Sequence, residues 1–297
     1  MQNDFVIKNL TSFKIGGEIK QVYFPTNTDE FVELIKQYPS IKVVGQLSNT
    51  LISSFGYNGE LLITSKMDEL KINGTNVIAG CGIKGPTIAT KTSMHGLSGF
   101  EFMIGFPGSI GGNIVMNASA NGQCISDKLI SVTCFENGEI KKYPKEEMKF
   151  SYRHSICQEK QIFVLDAEFE LDKGDIMEIS QQMKNNIKFR TSHQPLLNLP
   201  NCGSVFKNPE NNSAGKLLEL VGAKNMSIGG AKVWENHANF IINTGNATST
   251  DILELMDKMC TAVINEFGIK LIPEVRYLGN NNNYEEELCK KLQIKLI

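Results

Sequence analysis

A glycine-rich stretch near the middle of the chain constrains the fold more than any other feature. In Ile104-Gly-Phe-Pro-Gly-Ser-Ile-Gly-Gly112, glycine occupies four of the eight positions from 105 to 112. Without a Cβ atom, such a loop can turn its backbone N–H groups toward one point and let a phosphate approach closely. The stretch predicts either a cradle for a pyrophosphate or, as the plainer alternative, two consecutive tight turns.

The spacing of these glycines excludes two common nucleotide-binding motifs. It matches neither Gly-x-Gly-x-x-Gly opening a helix after a strand nor Gly-x-x-x-x-Gly-Lys-Ser/Thr. The chain has 30 Lys and Arg against 32 Asp and Glu, so it lacks the basic field that drives sequence-independent nucleic-acid binding. We therefore expect no nucleic-acid partner.

The composition also bounds the compartment and the metal chemistry. No apolar run is long enough to span a membrane, and the N-terminus lacks the pattern of a signal peptide, so we expect a cytoplasmic protein without a membrane partner. The seven cysteines never lie within four residues of one another, which predicts buried thiols and no disulfides. The four histidines are too far apart in sequence for a metal-ligand spacing, and we predict no metal site.

Hydrophobic periodicity predicts a strand-helix-strand unit at the start of the chain. A helix runs from its cap at Asn27 to Pro39, between an earlier strand and the short strands Ile41–Val44 and Leu61–Ile63. The loop Gly45–Asn49 directly follows a strand, where α/β folds often place ligands, although a plain connection is the commoner use of such a loop.

The next segment is predicted to be rich in strands. Asn73-Gly74 and Asn137-Gly138 suit tight hairpin turns, because both residues of each pair tolerate positive φ. Between them Thr87–His95 reads as a helix, and Ile162–Leu171 reads as a further strand. Asp175 is placed to cap another helix.

A break in periodicity over residues 191–203 predicts a linker and a domain boundary. Beyond it we predict a helix over Ser213–Val221, a long helix capped by Thr250, and a closing strand over Leu271–Tyr277. With two short strands between the helices, the order α-β-β-α-β indicates a small α+β domain.

Three polar positions are candidates for chemistry, and two of them have a plainer alternative. Arg153 lies among aromatic and hydroxyl neighbours, and its rigid fork suits a carboxylate or an enolate, but an exposed arginine without a task is commoner. Ser204 opens a polar cluster that reaches Pro209 just after the linker. Glu274 lies in the last strand, where a solvated edge carboxylate is the alternative.

Taken together and in chain order, ten motifs resemble those of one enzyme family. They are Thr11-Ser-Phe-Lys-Ile-Gly-Gly17, Leu47-Ser-Asn49, Gly96-Leu-Ser-Gly-Phe-Glu101, Gly105-Phe-Pro-Gly-Ser-Ile-Gly-Gly112, Met116-Asn-Ala118, Tyr152-Arg-His-Ser155, Gly203-Ser-Val-Phe-Lys-Asn-Pro209, Gly229-Gly-Ala231, His237-Ala-Asn-Phe240 and Pro273-Glu-Val275. The chain resembles, over about residues 8–279, the UDP-N-acetylenolpyruvoylglucosamine reductases, the MurB-type flavoenzymes of peptidoglycan precursor synthesis. It looks more like the compact branch, which lacks an extra substrate-covering loop with a tyrosine.

The resemblance implies an α+β fold. A two-subdomain FAD-binding unit of the vanillyl-alcohol-oxidase (PCMH) type would be followed by a small C-terminal α+β substrate domain. We expect FAD-binding subdomain 1 over residues 1–64, FAD-binding subdomain 2 over 65–195, the substrate-binding domain over 200–280 and a C-terminal tail over 281–297.

The resemblance also implies the cofactors and the residues that hold them. FAD would bind non-covalently, with its pyrophosphate on two loops, and NADPH would be the hydride donor. The expected cofactor-binding residues are Gly45, Gln46, Leu47, Ser48, Asn49, Pro107, Gly108, Ser109, Gly111, Gly112, Asn113, Asn117 and Ala118.

The implied reaction reduces UDP-GlcNAc-enolpyruvate to UDP-N-acetylmuramate. A hydride would pass from NADPH through flavin N5 to C3 of the enolpyruvyl group, and C2 would be protonated. Arg153 and Glu274 would stabilise the charge that develops on the substrate carboxylate, and Ser204 would deliver the proton. The substrate-binding residues would be Lys207, Asn208, Asn236 and His237. We expect a monomer.

Departures from the family pattern keep two alternatives open. Gln46 and Leu47 stand where family members usually have glycines, so this loop either reaches the pyrophosphate with bulkier residues or binds it less closely. Ser119-Ala-Asn-Gly122 replaces the common Gly-Ala-Tyr-Gly, and His193 replaces a residue that is often basic. The alternatives are another FAD oxidoreductase of this fold acting on a sugar or alcohol, and a nucleotide-sugar binding protein that has lost FAD.

Overall fold

The chain folds into two compact units that are each built from separated segments. The computed structural model describes residues 2–105, 107–196 and 198–297. The N/C unit comprises Met1–Val22, Leu47–Glu60 and Thr191–Ile297, and the central unit comprises Tyr23–Gln46 and Leu61–Arg190. Both units combine helices with strands, as the sequence predicted.

The elements are numbered in chain order. The α-helices are α1 (Thr28–Gln37), α2 (Gly85–Met94), α3 (Ile110–Met116), α4 (Ile176–His193), α5 (Ala214–Leu220), α6 (Ser249–Phe267) and α7 (Asn283–Leu292). The strands are β1 (Gln2–Val6), β2 (Glu18–Tyr23), β3 (Lys42–Val44), β4 (Thr50–Ile52), β5 (Tyr57–Ile63), β6 (Leu70–Asn73), β7 (Asn76–Gly80), β8 (Leu97–Ser98), β9 (Ser119–Ala120), β10 (Gln123–Cys124), β11 (Leu129–Glu136), β12 (Glu139–Pro144), β13 (Ile162–Glu170), β14 (Asp172–Lys173), β15 (Ser227–Ile228), β16 (Ala231–Val233), β17 (Ile241–Asn243) and β18 (Arg276–Leu278).

An antiparallel sheet in the order β12-β11-β13-β7-β6 forms the centre of the central unit. Its buried face contributes to a large apolar core, in which Phe31 of α1 makes edge contacts with Phe135 and Phe163 at ring-centroid distances of 6.5 and 5.9 Å. Alternating apolar residues explain this packing, because successive side chains of a strand point to opposite faces. β3 pairs in parallel with Leu61–Ile63, the last three residues of β5.

The local sequence signals of the central unit are largely confirmed. The Asn27 side chain accepts a hydrogen bond from the Glu30 N–H and caps α1. Asn137 and Gly138 both have positive φ, 51° and 86°, and connect β11 to β12 as predicted. In the other hairpin Asn73 pairs with Asn76, so the turn is shifted by one residue from the predicted Asn-Gly pair.

A second core holds the N/C unit together. The three-stranded sheet β15-β16-β17 packs with α6, and β18 pairs in parallel with β4, more than 200 residues earlier in the chain. Phe13, near the N-terminus, belongs to the same apolar core, and its carbonyl oxygen accepts a hydrogen bond of 2.9 Å from the Asn243 side chain. The first 22 residues are therefore part of the unit that contains the C-terminal segment.

Several predicted boundaries are wrong. α6 is capped by Thr248 instead of Thr250, and Asp251 completes a reciprocal capping box with it. α4 extends to His193, into the predicted linker. The closing strand is confined to β18, because Pro273 lacks the N–H that a ladder requires and pairs with Phe206 through an isolated bridge.

In its described residues, the glycine-rich stretch does not form two consecutive tight turns. Its second half is the short helix α3, which begins behind Ser109. All seven cysteines are free thiols and five of them are buried. Within the described ranges, no helix is long and apolar enough to cross a membrane, and no three His, Cys, Asp or Glu side chains cluster as metal ligands.

Candidate active site

One face of α3 carries three buried polar side chains with unsatisfied atoms. Ser109, Asn113 and Asn117 are spaced four residues apart, so they lie along one side of the helix and its two caps. In the described part of the chain, Ser109 Oγ, Asn113 Nδ2 and Asn117 Oδ1 are buried and have no protein hydrogen-bond partner. Each such atom costs about 1–3 kcal/mol when left unpaired, so this face is suited to a polar ligand.

The two predicted phosphate loops approach each other in the central unit. A Cβ atom on Gly45 would lie 2.4 Å from Ser109 Oγ, so a larger residue there would force the Ser109 hydroxyl to move. Gly112, by contrast, is exposed, and Ser109 Oγ is the nearest atom to a Cβ placed on it, at 3.7 Å. Gly45 and Gly112 therefore both lie beside the Ser109 hydroxyl.

The backbone of the glycine-rich stretch differs from the predicted phosphate cradle. The N–H groups of Ile110 and Gly111 donate to the carbonyl oxygens of Ile83 and Cys81, at 2.9 and 2.8 Å. These two N–H groups are therefore bonded within the protein and do not face a ligand. Gly108 has a φ of 121°, which explains the glycine at that position, and Pro107 is exposed.

The first predicted loop is the point at which the chain passes from the central unit to the N/C unit. Gly45 and Gln46 belong to the central unit, and Leu47, Ser48 and Asn49 belong to the N/C unit. Gln46 Nε2 donates a hydrogen bond of 3.0 Å to the Gly82 carbonyl oxygen. Leu47 is buried and adopts a left-handed φ of 54°.

Asn49 connects this loop to the segment that carries Glu274. Its side-chain Nδ2 donates to the Glu274 carbonyl oxygen at 2.9 Å, and its backbone carbonyl oxygen accepts from the Arg276 N–H at 3.1 Å. Because Nδ2 faces a carbonyl oxygen, the orientation of the amide is fixed, and Oδ1 is a buried atom without a protein partner.

The structure brings Ser204 and Glu274 onto neighbouring segments of the N/C unit. The backbone N–H of Glu274 donates to the Val205 carbonyl oxygen at 2.8 Å. Ser204 forms an isolated antiparallel β-bridge with Phe240. The buried Asn239 side chain holds this arrangement by bonding both the N–H and the C=O of Phe206, at 3.0 and 2.9 Å. The hydroxyl and the carboxylate are thus presented by adjacent strand-like segments.

Arg153 lies in the central unit, on a tight turn. The turn is closed by two backbone hydrogen bonds between Ser151 and His154, and Arg153 has a left-handed φ of 55°. Asn117 Nδ2 donates to the Ser151 carbonyl oxygen at 3.0 Å, and Gln158 Nε2 donates to the Arg153 carbonyl oxygen at 2.9 Å. Side chains from elsewhere therefore hold a backbone conformation that arginine rarely adopts.

The four predicted substrate-binding residues all lie in the N/C unit. Asn208 Oδ1 accepts from the Ala214 N–H at 3.0 Å, at the start of α5. Lys207 is half-buried, and its N–H donates to the Ile272 carbonyl oxygen at 2.9 Å. Asn236 is exposed on the loop that leads to His237.

His237 has the most restricted environment of the four. Burial lowers the pKa of its imidazole, so the ring is neutral near pH 7. Its Nδ1 accepts from the Asn239 N–H at 3.2 Å, which places the remaining proton of the neutral ring on Nε2. Gly215 of α5 leaves room for the ring, because a Cβ there would lie 2.9 Å from His237 Cε1.

These surroundings fit an FAD molecule. FAD presents phosphate oxygens, ribityl hydroxyls and flavin N–H and C=O groups, and the unsatisfied atoms beside α3 include a donor, an acceptor and a hydroxyl that can act as either. Ala118 follows Asn117 directly and donates its N–H to the Asn113 carbonyl oxygen at 2.8 Å, which fixes the backbone at the C-terminal end of α3.

Sequence reasoning missed three residues that build the site. Ser119 accepts a hydrogen bond from Arg153, Gln158 holds the Arg153 turn, and the Asn239 side chain bonds the backbone of Phe206 in the segment that carries Ser204. Ser119 and Asn239 lie inside or beside motifs that the sequence singled out. No sequence signal marks Gln158, because its role depends on contacts that only the fold creates.

Two family models match the chain. A model described as the C-terminal domain of UDP-N-acetylenolpyruvoylglucosamine reductase matches residues 194–278, and an FAD-binding domain model matches residues 19–142. The first match contains Ser204 and Glu274, and the second contains the face of α3 described above.

Close relatives carry one name. The chain is 42% identical over 278 residues to UDP-N-acetylenolpyruvoylglucosamine reductase of Caldanaerobacter subterraneus subsp. tengcongensis, with 92% of each chain covered. It is 38% identical over 283 residues to the enzyme of that name from Bacillus subtilis (strain 168), with 93% of each covered. The crystal structure of the Thermus caldophilus reductase matches with a TM-score of 0.79 and 28% identity, over 92% of this chain and 97% of that one.

Proposed function

The chain belongs to the UDP-N-acetylenolpyruvoylglucosamine reductase family, and we propose that Arg153, Ser204 and Glu274 carry out its chemistry. It is an FAD- and NADPH-dependent oxidoreductase, a UDP-N-acetylmuramate dehydrogenase of peptidoglycan precursor synthesis. The predicted fold class is confirmed: an FAD-binding unit of the PCMH type is followed by the C-terminal domain of this family.

The proposed cofactor site uses side chains on both predicted loops. Ser109, Asn113 and Asn117 would hold FAD along α3, and Asn49 would contribute its buried oxygen. FAD, when bound, supplies hydride transfer from NADPH through N5 to C3 of the enolpyruvyl group. We assign FAD binding to residues 1–64 and 65–195, substrate binding to residues 200–280, and a tail to residues 281–297.

The remaining chemistry falls to charged and hydroxyl side chains. As a hydride reaches C3, negative charge develops at C2 and on the substrate carboxylate. The Arg153 fork can pair with that carboxylate, and a positioned charge of this kind stabilises a developing anion because it need not reorganise. Glu274 would also stabilise the charge that develops on the substrate carboxylate.

Ser204 is the proposed proton donor to C2. A hydroxyl is a weak acid, but a carbanion is basic enough to take its proton. The observation that supports this assignment is the backbone hydrogen bond from the Glu274 N–H to the Val205 carbonyl oxygen, which joins the segment of Glu274 to that of Ser204. Lys207, Asn208, Asn236 and His237 would bind the UDP-sugar and its diphosphate from the same unit.

Two points extend the proposal to partners and location. We propose that the enzyme acts as a monomer. We propose the cytoplasm as its location, because NADPH and a UDP-sugar are charged molecules that do not cross a membrane unaided.

Anaerobic half-reactions of the holoenzyme test the proton-donor role. Ser204→Ala should slow the return of oxidised flavin absorbance on substrate addition by at least about a hundredfold, while the bleaching by NADPH stays nearly unchanged. Ser227→Ala, an exposed serine on β15, is the matched control and should alter neither step. Equal slowing of both steps by Ser204→Ala would show that Ser204 is not the proton donor.

A further inference from the structure

The guanidinium of Arg153 is anchored by a hydroxyl within the central unit. Arg153 Nη1 donates a hydrogen bond of 2.7 Å to Ser119 Oγ. This length is at the short end of the range for a charged donor, where hydrogen bonds are stronger than neutral ones. The two residues are 34 positions apart in sequence, so the fold creates the contact.

The Ser119 hydroxyl is itself held in a fixed position. Ser119 opens the two-residue strand β9, which pairs with β10 through Ser119 and Cys124. The preceding residue, Ala118, is bonded through its N–H to Asn113 and through its carbonyl oxygen to the Ile125 N–H, at 2.8 and 3.0 Å. The acceptor is therefore fixed to the C-terminal end of α3, the helix whose other polar residues face the proposed cofactor site.

Arg153 is consequently constrained at both ends of its side chain. At the backbone end, the turn held by Asn117 and Gln158 sets the direction in which the side chain leaves the chain. At the other end, Ser119 sets the position of the guanidinium. A flexible arginine would otherwise lose rotamer entropy each time a carboxylate bound, and anchoring removes part of that cost before binding.

We propose that Ser119 is a positioning residue for the reductase reaction, which orients the Arg153 guanidinium relative to α3. The inference rests on the proposed role of Arg153 toward the substrate carboxylate. Ser119 acts through Arg153 and needs no contact with the substrate. The hydroxyl, and not the size of the side chain, is the required feature, so threonine should replace serine and alanine should not.

A set of four variants of the holoenzyme tests this inference. Ser119→Ala should slow flavin reoxidation by substrate about ten- to hundredfold, the range expected for the loss of one hydrogen bond to a charged group. Ser119→Thr should restore a rate near that of the wild type. In the presence of Arg153→Ala, the further change Ser119→Ala should have no additional effect.

Two readouts separate positioning from structural damage. The rate of flavin reduction by NADPH and the Kd of the apoprotein for FAD should both stay within about twofold of wild type in Ser119→Ala. Ser131→Ala is the matched control, because its hydroxyl also bonds a charged side chain of the central unit, Glu168, at 3.0 Å. Ser131→Ala should leave the rate of flavin reoxidation by substrate, the rate of flavin reduction by NADPH and the Kd for FAD unchanged.

The outcomes distinguish this inference from the proposed function. If Arg153→Ala reoxidises slowly and the separate Ser119→Ala variant reoxidises at the normal rate, the proposed role of Ser119 is overturned and that of Arg153 stands. Slowing by Ser119→Ala that persists undiminished in the Arg153→Ala background would also overturn it. An Arg153→Ala variant that reoxidises at the wild-type rate would instead refute the proposed role of Arg153.

Discussion

Leu47 adopts a backbone conformation that glycine would accept more easily. A left-handed φ costs a residue with a Cβ about 1–2 kcal/mol, yet Leu47 is only 3% exposed and belongs to the buried apolar residues of the protein. Removing a buried leucine side chain costs about 2–5 kcal/mol. The free energy gained by burying the Leu47 side chain is therefore larger than the cost of its left-handed backbone. The buried side chain fixes the position of the loop Gly45–Asn49.

We predict that Leu47→Gly lowers the free energy of unfolding by about 2 kcal/mol or more, because lost burial and a more flexible unfolded chain exceed the relief of strain. Urea denaturation measures this change. Asn137→Gly is the control, since Asn137 has a φ of 51° in an exposed turn and should tolerate glycine with little loss. A Leu47→Gly variant as stable as wild type would mean that burial does not fix this loop.

Asn113 should affect cofactor binding and folding differently. Its Nδ2 is buried without a protein partner, so Asn113→Leu, which keeps the size and suits a helix, should change the stability of the apoprotein by less than about 1 kcal/mol. The same variant should raise the Kd for FAD at least about tenfold, because a donor to the cofactor is lost.

Fluorescence titration of the apoprotein with FAD measures this Kd, and thermal unfolding without FAD measures stability. Asn185→Leu, at an exposed position of α4, should leave both unchanged. Unaltered FAD affinity in Asn113→Leu would remove Asn113 from the cofactor site.

At the scale of elements, α7 is an integral part of the N/C unit. Its fully buried Glu285 accepts hydrogen bonds from Ser53, Thr250 and Tyr277 at 2.6–2.7 Å, and also from Ser249. These hydroxyls belong to or adjoin β4, α6 and β18. One carboxylate therefore ties the end of the chain to three elements, including the strand that follows Glu274.

Glu285→Ala should destabilise the protein by about 3 kcal/mol or more, because several buried hydroxyls lose a shared charged acceptor. Denaturant unfolding gives the total loss, and hydrogen exchange should show early opening of α7. Glu287→Ala, which removes an exposed carboxylate from the same helix, should cost little. Normal stability and normal protection of α7 in Glu285→Ala would contradict this account of the helix.

At the scale of the whole molecule, local chemistry was readable from the sequence and long-range pairing was not. Asn137-Gly138 predicted its hairpin correctly, because turn preference is local. The predicted cap of α6 was two residues late, because several neighbouring residues carry hydroxyls and the capping box with Asp251 selects Thr248. The parallel pairing of β4 with β18 has no local signal, because it joins Thr50 to Arg276.

The same division applies to the candidate site. Asn49, Asn117 and Ser204 could be predicted from the sequence, because they lie in motifs whose residue types and order resemble those of the family. The contacts of Asn49 with Glu274, and of Ser119 with Arg153, depend on chain segments far apart in sequence. The glycine-rich stretch predicts a loop that turns its N–H groups toward a phosphate, but the N–H groups of Ile110 and Gly111 donate to the carbonyl oxygens of Ile83 and Cys81.

The most direct test of the central claim is the visible absorption spectrum of the purified protein, recorded without oxygen before NADPH, after NADPH and after UDP-GlcNAc-enolpyruvate. We predict oxidised flavin bands that bleach with NADPH and return with the substrate. A colourless protein that added FAD cannot reconstitute would contradict the cofactor site. Bleaching that the substrate fails to reverse would contradict the reductase reaction.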